Sequence, residues 1–326
     1  MGQGGNDSGL RRNRQDRPRA SNLPACTTAI AAAASDAYRS PLHSDLVDRR
    51  MSGETVITET VIVVPCYNEA ARLDLAAFAA FLEHSDGVSL LLVDDGSTDG
   101  TPRMLEQLRS RYPQRVAVLG LGTNVGKAEA VRRGMKLALR REPALVGYWD
   151  ADLATPLEAI LDFRTVLDQR SELVLVMGSR VALLGRQIRR SWKRHLLGRS
   201  FATAASLVLG LTVYDTQCGA KLFRVTRETA ALFERPFRAR WIFDVEILAR
   251  MVASARTGGE RAAADRIYEF PLERWQDVQG SRLKSYDFLV AATDLAAIRW
   301  RYLSGRSPRV ARKSPPVTLP ARREAA

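Results

Sequence analysis

Short apolar runs alternate with segments of helical periodicity from about residue 60 to 180. Strands are predicted over 61–65, 89–93, 115–119, 144–149 and 172–177. Between them, apolar positions fall on one face of a 3.6-residue repeat. Leu73, Ala76, Ala80 and Leu82 mark a helix near 73–83, and Ala128, Val131, Met135 and Ala138 mark another after Lys127. Further helices are predicted over 101–112 and 157–169, the first with Ser97 or Asp99 as its cap. The strands are too uniformly apolar to alternate inside and outside, so both faces of their sheet are covered, as in a parallel α/β arrangement. No internal repeat is visible.

Beyond 180 the texture changes. A basic, mostly helical stretch (185–212) is followed by Asp215-Thr216-Gln217-Cys218-Gly219 and by a helix opened by Arg240-Trp241-Ile242-Phe243-Asp244-Val245-Glu246. A strand near 266–270 and an amphipathic helix over 286–303 complete the pattern. Residues 1–55 lack periodicity and read as a disordered extension, with Met51 an internal candidate start. Residues 56–305 read as one catalytic domain, 56–180 and 181–305 being its halves, and 306–326 as a basic disordered tail.

The residues that end the strands carry the chemistry. Pro65-Cys66-Tyr67-Asn68-Glu69, Asp94-Asp95-Gly96-Ser97 and Asp150-Ala151-Asp152 each follow an apolar run, while Asn124-Val125-Gly126-Lys127 opens a helix. A parallel sheet presents ligands at the carboxyl ends of its strands. There Tyr67 can lie beside a base and Glu69 can anchor polar groups. Gly96 would let the backbone approach closely, and Lys127 would face a diphosphate. Asp150 and Asp152 offer hard oxygen donors suited to Mg²⁺ or Mn²⁺, which are usually held by one or two carboxylates plus substrate phosphates.

These four segments resemble the nucleotide-sugar half of inverting glycosyltransferases of family 2, with the GT-A fold. That resemblance implies a Rossmann-like, mostly parallel sheet flanked by helices, joined to a C-terminal acceptor-binding half with amphipathic helices. It also implies a nucleotide-sugar donor gripped by Pro65, Tyr67, Glu69, Asp94, Asp95, Lys127 and Asp150, and a divalent metal on Asp150 and Asp152. Leu153-Ala154-Thr155 follows the second Asp and offers no third side-chain ligand. Together with Asp-Thr-Gln-Cys-Gly, Trp-Ile-Phe-Asp-Val-Glu, Glu273-Arg274-Trp275, Gln279-Gly280-Ser281 and Ile298 to Leu303, it resembles the dolichyl-phosphate β-glucosyltransferases and other polyprenyl-phosphate glycosyltransferases. The implied reaction moves a hexose, glucose from UDP-glucose, onto a lipid phosphate. The alternatives kept open are GDP-mannose as donor and a saccharide hydroxyl as acceptor.

Charge supports an anionic acceptor. The chain carries +13, and 177–200 holds seven Lys or Arg with no acid. Another eight basic residues against one acid lie from Arg299 to the end. Such stretches attract phosphates and anionic lipid. Arg180, Arg190, Arg194 and Lys221 are the candidate cations for an acceptor phosphate, whose own charge spares it a general base. Asp244 or Glu246 would supply that base for a hydroxyl acceptor, unless Asp244 serves only as a helix cap. A basic nucleic-acid-binding protein would need interleaved stacking aromatics or a recognised motif, and neither is present, so no nucleic-acid partner is expected.

Three widely spaced cysteines, Cys26, Cys66 and Cys218, form neither a disulfide framework nor a zinc site and point to a reducing compartment. Cys66 reads as a small buried filler. No run reaches the ~20 apolar residues of a membrane span. The expected location is therefore cytoplasmic, peripheral on the inner face of the membrane.

Overall fold

The computed structural model describes residues 59–181, 187–189, 192–258, 262–276 and 285–304, together with Met1. All but Met1 fall in one compact unit, Asp48–Ala326. The expected extension, the tail and Gln279-Gly280-Ser281 lie outside the described residues.

The first half alternates strand and helix as predicted, but its first helix buries Phe78, Ala79, Phe81 and Leu82 and leaves Ala76 and Ala80 of the expected face exposed. Strands β1 (Thr60–Cys66), β2 (Val88–Asp94), β3 (Val116–Gly120), β4 (Leu145–Trp149) and β5 (Leu175–Ser179) alternate with helices α1 (Leu75–His84), α2 (Thr101–Arg111), α3 (Lys127–Leu139) and α4 (Ala159–Gln169). Of the residues expected on one face of α3, Ala128, Val131, Met135 and Ala138 are all buried. Asp74 caps α1, its Oδ1 accepting from the amides of Ala76 and Ala77. Helix α2 starts after Gly100 without a side-chain cap. Asp99 instead accepts from the Thr101 amide at 2.9 Å, while Ser97 serves a neighbouring loop.

The second half adds β6 (Gln187–Arg189), α5 (Trp192–Leu209), β7 (Ala220–Arg224), α6 (Arg227–Glu234), α7 (Phe243–Gly258), β8 (Ile267–Pro271), β9 (Arg274–Gln276) and α8 (Ser285–Ile298), the last running into a π turn over Arg299–Leu303. The main sheet has the order β3-β2-β1-β4-β7-β5-β8. All its pairs are parallel except those of β7, which runs antiparallel between β4 and β5. Neither β7 nor α6 is evident from the apolar pattern. Lys221, the second residue of β7, interrupts the apolar run, and α6 has only eight residues.

Both sheet faces are covered. Four of the five β2 residues Leu90–Asp94 are at most 1% exposed, and β4 is buried throughout. Tyr148, Phe243, Phe237, Phe233 and Phe223 form a chain of ring contacts 5.5–6.3 Å apart that ties β4 and β7 to α6 and α7. Because β2, β1 and β4 are neighbours, their carboxyl ends open side by side.

Candidate functional site

The loop after β1 and the loop after β2 are laced together by side chains that mimic backbone pairing. The Asn68 amide donates to Ser97 Oγ at 3.0 Å, and the Thr98 amide donates to Asn68 Oδ1 at 2.8 Å. The Glu69 amide donates to Thr101 Oγ1 at 2.8 Å, and the Ala70 amide to Asp99 Oδ2 at 3.2 Å. Asn68 adopts φ 53°, a left-handed conformation that asparagine tolerates better than most residues.

The two adjacent aspartates both brace the loops around them. Asp94 Oδ1 accepts from the Ser97 amide at 3.0 Å, closing its own turn. Asp95 is 2% exposed and accepts from the amides of Val125 and Gly126 at 2.7 and 2.9 Å. Burial holds its pKa above the usual carboxylate range despite those two amides. Asp95 is thus a brace between two loops. Gly96 has φ +69°, and a Cβ there would lie 2.5 Å from the Thr123 carbonyl carbon. The close approach it permits is to the loop before α3.

Between these loops lies a cleft of about 420 Å³ lined by Pro65, Tyr67, Glu69, Arg72, Asp95, Asn124, Gly126 and Lys127 among others. Pro65, Tyr67, Glu69 and Lys127 therefore meet in one space, as the strand-end argument requires. Arg72 was not foreseen. It donates to Glu69 Oε1 at 2.7 Å, a pair set by three-residue spacing.

Asp150 and Asp152 stand beside this cleft. Lys127 Nζ is 2.5 Å from Asp150 Oδ1. The Asp150 amide donates to Gly219 O at 3.0 Å, so the strand end is pinned to the Asp-Thr-Gln-Cys-Gly segment. Asp152 Oδ1 accepts from the Ala154 amide at 3.1 Å, and Trp149 Nε1 donates to Thr155 O at 3.0 Å. With Leu153 at φ 53°, these bonds fold the turn tightly. Burial and then the Asp150 charge push the Asp152 pKa up. Glu69 is raised by burial, against Arg72, with Asp152 and Asp150 adding to the rise. Packing around Lys127 disfavours its charge, but Asp150, Asp244 and Asp152 outweigh this and raise its pKa.

This group fits a divalent cation. The charges of Asp150 and Asp152 act on one another and on Glu69, a lysine ammonium sits on Asp150, and Glu69 Oε2 is buried with no hydrogen-bond partner among the described residues. Among the described residues no cluster of three or more His, Cys, Asp or Glu could hold a metal unaided.

Of the acceptor-side candidates, Lys221 is placed differently from the sequence expectation. Lys221 is 0% exposed, and its Nζ donates to Thr216 O, Cys218 O and Asp244 Oδ1 at 3.1, 2.8 and 2.6 Å. All three ammonium hydrogens are engaged, so Lys221 is a buried fastener and has no donor left for an acceptor phosphate. Asp244 Oδ1 also accepts from Tyr148 Oη at 2.5 Å. It lies in the first turn of α7 and is 5% exposed, tied to β4 and β7, which is neither a cap nor an open base. Glu246 is likewise fully buried. Arg180 makes a two-pronged pair with Asp215, Nε to Oδ2 at 2.5 Å and Nη2 to Oδ1 at 2.7 Å, and lies over the Trp275 ring. Asp215 outweighs burial and raises the Arg180 pKa. Arg180 and Arg199 line a small separate pocket with Tyr214 and Gln217. Arg190 lies outside the described residues. Arg194 is on α5, but its side chain also lies outside them.

Cys66 and Cys218 are free and buried. Burial pushes both thiols up, Cys218 to about 11, so Cys66 is the inert filler the sequence suggested.

Comparison with known proteins agrees with this architecture. The model of "Glycosyl transferase family 2" matches residues 61–227. Dolichyl-phosphate beta-glucosyltransferase of Dictyostelium discoideum is 32% identical over 262 residues, covering 75% of this chain and 75% of that protein. Its Homo sapiens counterpart is 31% identical over 264 residues, covering 75% and 76%. Polyprenol monophosphomannose synthase of Mycolicibacterium smegmatis is 29% identical over 166 residues, 51% of this chain and 61% of that one. Among solved structures, glucosyl-3-phosphoglycerate synthase from Mycobacterium tuberculosis, in complex with Mn²⁺, UDP-glucose and phosphoglyceric acid, superposes with a TM-score of 0.52. It is 18% identical, and the match covers 74% of this chain and 80% of that chain. That likeness is one of fold, and the fold is GT-A. The chain is a glycosyltransferase and belongs to glycosyl transferase family 2.

Proposed function

We propose that this glycosyltransferase moves glucose from UDP-glucose, with inversion, onto the phosphate of a polyprenyl or dolichyl-type lipid, using Mg²⁺ or Mn²⁺. The observation that carries the reading is the extent of similarity to dolichyl-phosphate beta-glucosyltransferases, 75% of this chain and 75% of the Dictyostelium protein. Similarity of that extent takes in acceptor-side motifs as well as the donor cleft.

In this reading Tyr67 and Glu69 meet the nucleoside, and Lys127 faces the diphosphate across the 420 Å³ cleft. Asp150 and Asp152 would hold the divalent ion, which supplies Lewis-acid neutralisation of the departing nucleoside diphosphate. The bond between the sugar's anomeric carbon and the diphosphate oxygen breaks. A bond from an acceptor phosphate oxygen forms on the opposite face, and the electron pair leaves with the nucleotide. A phosphate monoester has a second pKa of about 6, so at neutral pH it needs no proton removed. The burial of Asp244 against Lys221 and Tyr148 supports an acceptor of this kind, since that carboxylate is committed to the fold. Arg199, which lines a small pocket next to the Asp215-bound Arg180, is the described cation we assign to steering the phosphate.

We place the protein peripherally on the cytoplasmic face of a membrane. Among the described residues no helix is long and apolar enough to cross a bilayer. Leu207 on α5 and Trp300 on the π turn are 75% and 71% exposed, and Arg299 links the two elements by donating to Val208 O at 3.4 Å. Basic residues beside exposed apolar side chains suit an anionic lipid surface.

The test is incubation of the purified chain with radiolabelled UDP- and GDP-sugars and undecaprenyl phosphate, followed by organic extraction. Label from UDP-glucose should enter the lipid phase. Entry from GDP-mannose alone would favour mannosyl transfer, the second reading, which the similarity to polyprenol monophosphomannose synthase supports over half the chain. No lipid label from any donor would overturn both.

A further inference from the structure

The segment 235–242, between α6 and α7, is held by a set of buried charges. Glu246 is 0% exposed, and its Oε2 accepts from the amides of Arg238 and Ala239 at 2.8 and 2.9 Å. Its Oε1 accepts from Arg250 Nη2 and Tyr302 Oη, both at 2.8 Å. Arg250 in turn donates to the carbonyls of Leu232, Arg235 and Pro236 at 2.6, 2.9 and 2.9 Å. Charged side chains are seldom buried unless paired, and losing one partner of such a pair is costly. Here the network fixes the backbone of one short loop.

That loop brings Arg240 to the donor cleft. A Cβ built on Gly126 would lie 3.3 Å from Arg240 Nη2, and Gly126 and Lys127 both line the cleft. Arg240 is exposed and makes no hydrogen bond or ion pair with any of the described residues. Gly126 itself has φ +91°, so a side chain there would be strained as well as crowding the guanidinium. A loop whose backbone is fixed in this way presents the Arg240 guanidinium at the residue before Lys127, so part of the ordering an anion would require is already in place. Guanidinium geometry also matches two phosphate oxygens at once.

We infer that Arg240 is a phosphate-binding residue of this transferase, contacting a phosphate of the bound substrates at the Gly126 edge of the cleft. The inference rests on the donor-cleft reading above and adds to it a residue from the acceptor half. The chemistry is the same whether the phosphate belongs to the nucleoside diphosphate or to the acceptor, and the two are separable.

The experiment is calorimetric titration of UDP and of uridine, each with Mn²⁺, into the full chain, beside steady-state kinetics with lipid phosphate. Arg240→Met should weaken UDP about tenfold, the scale of one charge-assisted hydrogen bond, and leave uridine unchanged. Arg240→Lys should restore part of the loss. Both variants should keep their thermal midpoint within about 2 °C, since an exposed unpartnered side chain holds nothing together. Unchanged UDP binding with a raised KM for the lipid phosphate would assign Arg240 to the acceptor phosphate and still support the inference. Equal UDP affinity and equal lipid KM in wild type and Arg240→Met would overturn it, as would an equal loss for uridine. Failure of the wild type to bind UDP would instead overturn the donor-cleft reading, and this inference with it.

Discussion

A Cβ on Gly219 would sit 1.9 Å from Asp150 Oδ2, so the aspartate carboxylate lies where any other residue at 219 would put its side chain. The Asp150 amide meanwhile donates to Gly219 O. Two motifs 69 positions apart are one structural device, and the acceptor half sets the orientation of a donor-side carboxylate. Gly219→Ala should leave the fold intact and lower turnover by about 10²-fold, the penalty typical of a misplacement near 1 Å. Circular dichroism together with initial rates at saturating donor would check it. Full activity in that variant would remove Asp150 from the reaction.

Lys127 Nζ lies 2.5 Å from Asp150 Oδ1, one of the oxygens proposed to hold the metal. An incoming divalent ion must compete with that ammonium. Lys127→Met should therefore tighten Mn²⁺ binding without nucleotide by about tenfold, since a hydrogen bond to a charged group is worth roughly 1.5–3 kcal/mol. The same variant should bind UDP more weakly, having lost a cation from the cleft. Electron paramagnetic resonance of free Mn²⁺ reads the first effect and calorimetry the second. Weaker Mn²⁺ binding in Lys127→Met would contradict the competition.

The Lys221–Asp244 pair is a stability element. Lys221→Met leaves the Asp244 carboxylate buried with Tyr148 as its remaining donor among the described residues, and should cost about 3–5 kcal/mol in denaturant unfolding. The double variant Lys221→Met/Asp244→Leu should recover a large part, because it removes both charges together. If the double variant is less stable than Lys221→Met alone, the pair is not acting as paired charges.

Glu129 supplies a pH signature. Hydrogen bonds from Arg132, and then Arg133, outweigh its burial and lower its pKa from 4.5 to about 2. The depressed value means that stability from this group is full above its unfolded pKa and is lost as pH falls from about 4.5 toward 2. Arg133 is 45% exposed, so solvent screening leaves about 1–2 kcal/mol. Glu129→Gln should thus lower the thermal midpoint at pH 7 by a few degrees, and that gap should close as the pH approaches 2. A gap of constant size across the acid range would show that the ion pairs contribute nothing.

The donor side was legible in the sequence because its chemistry is local. A buried parallel strand needs a continuous apolar run, and the residue after that run must turn toward the sheet's edge. Tyr67, Glu69, Lys127, Asp150 and Asp152 could therefore be assigned to one edge before any contact was known. Asp95 shows the limit of that reasoning. Its position at a strand end suits a ligand contact or a loop brace equally, and only the amides of Val125 and Gly126 show which use its oxygens serve here.

By itself the sequence determined the alternation of strands and helices, the edge at which the motifs emerge and the hard-oxygen character of the Asp150–Asp152 turn, all consequences of short-range periodicity and residue chemistry. Tertiary structure alone decided that β7 runs antiparallel between β4 and β5, carrying Lys221 into the interior. It also decided that Arg180 is paired with Asp215, and that Arg240 reaches Gly126 from more than a hundred residues away. A charged side chain looks the same in sequence whether it will meet a ligand or another side chain. Its partner is fixed by which distant segments the packed sheet brings within hydrogen-bond reach.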